Sequence, residues 1–294
     1  VATIGLLAVA VEGALSKKPR MVLGSLAVIV ALLAVAQIAP VGESGQVINA
    51  SVVQAGGQLG TRAATSDQVA VLDRHLAAIN ADVIDTDLMV WSESSVTAYA
   101  PLEQSAELST VNKIASELEA VIVANFSEVE GNNFRNASVS INPGEGLTDR
   151  YDKVHLVPFG EFLPIENILK KLGLRVITNN YQSFSKGNNR KIIEIKREDF
   201  SLKILPLICY EIIYSGKIFK NPNFDLIVNI SEDGWFGNSI GPDQHFAKSI
   251  FRAIENNTFL LRSTNRGVSA IIDNKGNIIK QLNRNEAGNI EFEV

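Results

Sequence analysis

The pattern of hydrophobic and polar residues divides the chain into two parts. Up to Pro40 the residues are almost uniformly apolar, and the segment from Met21 to Pro40 is 20 residues long without a charge. A helix of that length reaches about 30 Å, which is the thickness of the hydrocarbon core of a bilayer. The pattern therefore predicts a transmembrane helix over 21–40.

The residues before this helix favour a membrane region that starts further upstream. Residues 1–15 form another apolar segment, a helix fragment, and the basic turn 16–20 separates the two. Basic turns lie on the cytoplasmic side, so the helix over 21–40 is expected to run outward and, after the linker 41–46, to leave the rest outside. The alternative is a signal peptide with 34–36 (Ala-Val-Ala) as its cleavage site.

From residue 47 onward, short apolar segments with strand character alternate with helical patterns. The alternation predicts a layered α/β domain over 47–294, in which helices cover the sheets, and it leaves open whether there are one or two sheets. Strands are predicted over 47–53, 87–93, 120–126, 136–141, 191–196, 200–210, 225–231, 258–263, 268–272 and 278–282, and helices over 66–81, 105–119 and 244–256.

Composition excludes several classes of function. The net charge of -5 and the pI near 5.4 argue against a nucleic-acid partner, because phosphate binding needs a basic surface. A single cysteine excludes an internal disulfide framework and a thiolate metal cluster. The three histidines are far apart and lack the spacing of a metal site, so neither a metal nor another cofactor is expected.

Three reactive groups stand at or beside the ends of apolar strands. Glu93 ends LMVWSE, Lys153 lies in RYDKVHLVPFGEFLP, and Cys209 ends LKILPLIC. In α/β sheets the strand ends are where ligands bind. A thiol nucleophile needs a base to take its proton and a group to stabilise the oxyanion, which a carboxylate and an ammonium can provide.

The segments around these groups resemble the nitrilase superfamily, through WSES, YDKVHLVPFGEF and PLICYE in that order. Longer segments are similar to the apolipoprotein N-acyltransferase family. They are HLVPFGEFLP at 155–164, SFSKG at 183–187, ICYEII at 208–213, DGWFGNSIGPDQHF at 233–246 and LLRSTNRGVSAIID at 260–273. The resemblance covers about residues 46–294 and the apolar helix before them.

The resemblance implies a four-layer α-β-β-α sandwich with Glu93 as general base, Lys153 at the oxyanion and Cys209 as nucleophile. The acyl donor would be a phospholipid, the intermediate a thioester on the cysteine, and the acceptor the N-terminal amine of an apolipoprotein's diacylglyceryl-cysteine. The enzyme would lie in the bacterial inner membrane with its catalytic domain on the periplasmic side. Further residues matched to the neighbourhood of the site are Glu161, Tyr210, Glu211 and Trp235.

The sequence also departs from the pattern of that family. Ser92 stands where proline is usual before the catalytic glutamate, and Glu232-Asp233-Gly234 replaces Asn-Asp-Ala. Arg266 replaces one asparagine of a common TNNG. These changes leave Glu93, Lys153 and Cys209 in place and affect the contacts expected for the acyl chain and head group. Several membrane helices before the domain and one after it are also missing, so we interpret the chain as a fragment.

Other interpretations remain open. The same three residues would serve an amidase or carbamoylase that acts on a small amide. A membrane-tethered binding module without activity would leave Cys209 as an unreactive, packed thiol. Glu161 would then be a structural partner of Lys153, and Glu211 would cap the start of a helix.

Overall fold

The chain divides into two units, Val1–Glu43 and Ser44–Val294. This computed structural model describes residues 2–38, 47–56, 65–79, 85–98, 100–130, 133–173, 183–215 and 223–294. The predicted linker 41–46 and the last two residues of the predicted transmembrane helix lie outside the described residues.

The first unit contains two helices, α1 (Ala2–Leu15) and α2 (Pro19–Ile38). The turn between them carries Lys17 and Lys18, and Lys17 adopts a positive φ of 54° there. Where the structure is described, no helix has both the length and the apolar character that a membrane crossing requires. The transmembrane helix over 21–40 stays a prediction.

The second unit is built from strands and a few helices. Its strands are β1 (Asn49–Gln54), β2 (Leu88–Val90), β3 (Val96–Ala98), β4 (Val121–Glu130), β5 (Asn133–Asn142), β6 (Gly146–Asp152), β7 (Ile193–Lys196), β8 (Ser201–Ile208), β9 (Leu226–Glu232), β10 (Phe259–Asn265), β11 (Ser269–Ile272), β12 (Ile278–Leu282) and β13 (Gly288–Glu293). Its helices are α3 (Thr65–Ala78), α4 (Ala106–Glu117), α5 (Glu166–Leu169) and α6 (Gly241–Asn256).

The strands form two sheets. The first has the order β13-β1-β2-β4-β5-β6, with β3 beside β4, and the second has the order β12-β11-β10-β9-β8-β7. The strands β1, β2 and β4 run parallel in the centre of the first sheet, as do β8, β9 and β10 in the second. Each sheet therefore has a parallel centre with antiparallel edges.

Side chains alternate between the two faces of each strand, and they contribute to three apolar clusters. Leu88 and Val90 of β2 belong to the core between the two sheets, whereas Met89 belongs to the core under α3 and α4. The outer face of the second sheet packs on α6 through Ile227 and Ala253. The layers thus follow the order helix, sheet, sheet, helix, as the resemblance implied.

The sequence misplaced some elements. The strand predicted over 87–93 ends at Val90, and the one predicted over 200–210 ends at Ile208, because the backbone turns into a 3-10 helix from Cys209. The strands β3, β6 and β13 were not predicted. β6 reads GLTDRYD, which lacks apolar alternation, and β13 is fixed by its antiparallel pairing with β1.

A pair of isoleucines in the second sheet tests this layering. Ile227 is fully buried, so Ile227→Ala should lower the free energy of unfolding by about 2–5 kcal/mol, since it removes buried carbons and leaves a cavity. Ile279 on the edge strand β12 is 37% exposed, and Ile279→Ala should stay within about 0.5 kcal/mol of the wild type. Urea denaturation measures both; equal losses would contradict the layer order.

Candidate active site

Residues that follow strands of both sheets meet at one end of the sandwich. Glu93 lies three positions beyond β2, Lys153 follows β6 directly, and Cys209 follows β8. The Lys153 Nζ lies 3.3 Å from Glu93 Oε1, and its charge and that of Glu93 both act on the Cys209 thiol. The structure therefore brings the three sequence-predicted residues together.

Lys153 is the buried cation of this cluster. Its side chain is 1% exposed and lies between two carboxylates, with Nζ 2.7 Å from Glu161 Oε1 as well as close to Glu93. Burial by itself would lower the pKa of Lys153, but the Glu161 and Glu93 carboxylates outweigh it and raise that pKa well above its ordinary value. Lys153 is therefore a permanent ammonium.

The Glu93 carboxylate is held on both oxygens. Asn136 Nδ2 donates to Oε1 at 2.8 Å, and the main-chain N–H of Glu232 donates to Oε2 at 2.9 Å. Asn136 is itself fixed, because Asn125 Nδ2 donates to its Oδ1 at 2.7 Å. Sequence reasoning missed Asn136; its signal was a polar residue at a buried position of β5.

Cys209 begins a sharp strand-to-helix turn. Its φ is 48°, in the left-handed region that costs a residue with a side chain about 1–3 kcal/mol unless its surroundings hold it. Burial, followed by the charge of Glu93, raises the pKa of the Cys209 thiol, while Lys153 and a hydrogen bond with Ser231 act in the opposite direction. The thiol is thus neutral at rest and needs a base before it can attack.

A buried polar network lies under the cysteine. The ring of His245 bridges two oxygens, with Nε2 3.1 Å from the Cys209 carbonyl and Nδ1 2.9 Å from Asp233 Oδ1. Arg262 Nη2 donates to Asp233 Oδ2 at 2.7 Å. Burial alone would raise the pKa of Asp233, but the Arg262 guanidinium, His245 and Ser231 together outweigh it and lower that pKa to about 2. This network contacts the main chain of the cysteine at its strained turn.

Glu211 is a second buried carboxylate, with no exposed surface. Four donors converge on its two oxygens. They are Tyr151 Oη at 2.7 Å and the main-chain N–H groups of Val154, His155 and Ile208 at 3.0 Å each. Glu211 thereby caps its own 3-10 turn through Ile208, as one interpretation of the sequence held, and also ties that turn to the segment after Lys153.

The two aromatic residues expected near the site lie at its periphery. The Tyr210 ring meets Tyr214 edge-on, with 5.7 Å between ring centroids. Trp235 is 49% exposed, in a 3-10 turn after β9. Among the described contacts, none joins either side chain to Glu93, Lys153 or Cys209.

The hydrogen bonds that converge on Glu211 lead to a prediction about how the free energy of unfolding depends on pH. Glu211→Gln replaces one acceptor oxygen by a donor that opposes an N–H, so it should cost about 2–4 kcal/mol of unfolding free energy at pH 7. Burial alone would raise the pKa of Glu211, but hydrogen bonds with His155 and the charge of Arg190 lower it. The stability from this carboxylate is therefore present above the pKa of a free glutamate and is lost as pH falls through the lower, folded-state value.

Urea unfolding of wild type and Glu211→Gln at pH 7 and at pH 3 measures this effect. The difference between the two proteins should shrink in acid. Glu117→Gln, on the exposed ion pair with Lys113, is the control and should show little change at either pH. A Glu211→Gln protein as stable as the wild type at pH 7 would contradict the assignment.

Comparison with known proteins finds curated relatives that are similar to most of this chain. An apolipoprotein N-acyltransferase of Rickettsia prowazekii (strain Madrid E) is 36% identical over 211 residues, which are 70% of this chain and 41% of that protein. One of Allorhizobium ampelinum is 33% identical over 233 residues, 76% of this chain and 43% of that protein. The chain thus spans less than half the length of these curated relatives.

Solved structures share the fold. A CN-hydrolase superfamily protein from Xanthomonas campestris aligns with a TM-score of 0.61 at 17% identity, over 85% of this chain and 91% of that one. Nit3 of Saccharomyces cerevisiae, a member of the nitrilase superfamily, aligns with a TM-score of 0.60 at 18% identity, over 84% and 90% of the two chains.

The chain matches one protein family over most of its sequence. The carbon-nitrogen hydrolase family matches residues 33–294, which include both sheets and every residue of the buried cluster. The chain belongs to the carbon-nitrogen hydrolase family.

Proposed function

We propose that the chain is the catalytic part of a membrane-bound N-acyltransferase. It moves a fatty acyl chain from a phospholipid, through a thioester on Cys209, to the N-terminal amine of an apolipoprotein's diacylglyceryl-cysteine. The observation that carries the proposal is a buried Lys153 ammonium between Glu93 and Glu161, beside the one thiol of a chain whose relatives bear that name.

In the first step Cys209 attacks the ester carbonyl of the phospholipid. The thiol is neutral at rest, so Glu93 takes its proton as the sulfur–carbon bond forms. The Lys153 ammonium and the main-chain N–H after the cysteine, that of Tyr210, stabilise the oxyanion. When the carbon–oxygen bond breaks, the proton passes from Glu93 to the leaving oxygen, and a lysophospholipid departs.

In the second step the acceptor amine attacks the thioester carbonyl. Glu93 takes a proton from the amine, the carbon–sulfur bond breaks, and that proton returns to the Cys209 sulfur. An amide is formed and the free thiol is restored. Glu93 thus acts once as base and once as acid in each half of the cycle.

The other predicted residues support these steps. Glu161 fixes Lys153, and Glu211 fixes the turn that presents Cys209. Tyr210 supplies a main-chain donor, and the exposed Trp235 is a contact for a lipid substrate at the mouth of the site. This enzyme works at the bacterial inner membrane from the periplasmic side, held there by the helix predicted over 21–40.

Mass spectrometry of the protein after incubation with phospholipid vesicles tests the proposal. An acyl adduct should appear on Cys209 and disappear in Cys209→Ala. Glu93→Gln and Lys153→Met should slow adduct formation by about a thousandfold, since each removes a group that acts only in the transition state. Lys113→Met, a change at a lysine whose side chain is 77% exposed, is the control and should leave the rate unchanged.

Two other outcomes would overturn this function. Release of ammonia from small amides, with no lipid-derived adduct, would assign the same residues to an amidase or carbamoylase. A Cys209 that resists both phospholipid and iodoacetamide, in a protein that tolerates Glu93→Gln and Lys153→Met, would indicate a binding module.

A further inference from the structure

Three of the positions where the sequence departs from the family pattern meet at one point in the structure. The Arg266 guanidinium forms an ion pair with the Glu232 carboxylate, with Nη2 and Nε both 3.2 Å from Oε1. The same oxygen accepts the main-chain N–H of Gly234 at 2.7 Å. Asn265 Nδ2 donates to the other carboxylate oxygen at 2.8 Å.

Gly234 is required by the arginine. A methyl group added at Gly234 would overlap the guanidinium of Arg266, so an alanine there would force the arginine off Glu232. The φ of Gly234 is not in the left-handed region, so the overlap and not the backbone conformation is what excludes a side chain. The position of the guanidinium therefore depends on the absence of a side chain at Gly234.

Arg266 holds an unfavourable backbone conformation to make this contact. Its φ is 61°, in the left-handed region where asparagine is tolerated better than arginine. Its side chain is 23% exposed, whereas that of Glu232 is 2% exposed. The buried partner is a carboxylate close to Glu93, which needs either a cation or a proton.

The ion pair of Arg266 and Glu232 is linked to Glu93 through the main chain of Glu232. Among the described contacts, Glu93 accepts hydrogen bonds from Asn136 and from the main-chain N–H of Glu232, which lies 2.9 Å from Oε2. The Glu232 side chain also accepts the N–H of Gly234, so its position affects the main-chain turn that begins at Glu232 and thereby that N–H. Burial and the charge of Glu93 raise the pKa of Glu232 to about 7, while Arg266 favours the ionised form.

We propose that Arg266 is a positioning residue that acts through Glu232 on Glu93, and that Gly234 is the space this arrangement needs. The inference rests on the proposed role of Glu93 as base. Removal of the arginine alone leaves the buried Glu232 side chain without its cation, so the side chain must take up a proton or leave its position beside the base. Removal of the arginine together with the Glu232 carboxylate leaves no charge to compensate.

A set of linked substitutions tests the coupling through the rate of acyl adduct formation on Cys209. Arg266→Asn and Gly234→Ala should each slow this rate by about tenfold or more at saturating phospholipid, because small misplacements of a catalytic group are costly. In the Arg266→Asn background, Gly234→Ala should have no further effect, since the overlapping guanidinium is gone. Glu232→Asn combined with Arg266→Asn should return the rate to within about threefold of the wild type.

Two controls separate this coupling from general damage. Gly241→Ala would crowd the Phe236 ring, so its effect should be the same with or without Arg266→Asn. Arg197→Asn removes an arginine of similar exposure, 25%, that pairs with the surface residue Asp199, and should leave the rate unchanged.

Alkylation of Cys209 by iodoacetamide at pH 7 provides a readout that does not need the proposed lipid reaction. The alkylation rates and the thermal unfolding midpoints should follow the same pattern of coupling. Equal effects of Gly234→Ala in both backgrounds, or a double variant as slow as Arg266→Asn, would overturn the inference. Absence of an acyl adduct with the alkylation pattern intact would instead refute the proposed function and leave the coupling standing.

Discussion

The site depends on one constraint, the burial of the Lys153 ammonium. A buried lysine without compensation would lose its proton, and the two flanking carboxylates, Glu93 and Glu161, keep the charge in place. Each carboxylate then needs donors of its own. Glu161 accepts a hydrogen bond from the main-chain N–H of Val157 at 2.8 Å. Glu93 accepts hydrogen bonds from the side chain of Asn136 and from the main-chain N–H of Glu232. One buried charge thereby fixes four segments of chain.

The two-sheet sandwich makes this arrangement possible. Glu93, Lys153 and Asn136 come from the first sheet or its ends, whereas Cys209 and Glu232 end strands of the second. An apolar cluster fills the space between the sheets, and Glu93 and Cys209 lie at the end where the parallel strands finish. Glu211 and the His245 network hold the strained turn of the cysteine against that end. The thiol is therefore fixed by contacts to its main chain.

The sequence identified the groups that stand at strand ends, and it did so for a physical reason. Glu93 and Cys209 interrupt apolar runs, and an ionisable side chain at the end of a buried strand is costly unless it is paired or belongs to a site. The left-handed backbone of Cys209 had no such signal, because glycine is the residue that indicates a positive φ. Asn136 was hidden in a strand, and its partner Glu93 is 43 positions away along the chain.

The residues that depart from the family pattern also show what could not be predicted from the sequence alone. Glu232, Gly234 and Arg266 read as separate departures, but they meet where the neighbouring strands β9 and β10 end, and no local pattern encodes that contact. Strand β13 was missed for the same reason, because its partner β1 is at the other end of the domain sequence. Local periodicity predicted a layered α/β domain without deciding between one sheet and two, and the non-local pairing of strands gives the two sheets.

The titration of the cysteine itself tests the charge balance most directly. Because Cys209 is the only cysteine in the chain, thiolate absorbance at about 240 nm, taken as the difference between wild type and Cys209→Ala, reports one group. The thiolate should be absent at pH 7 and appear only above pH values of about 8.5, where a free cysteine ionises. A thiolate already formed at neutral pH would mean that Lys153 and Cys209 exist as an ion pair, and would contradict the account.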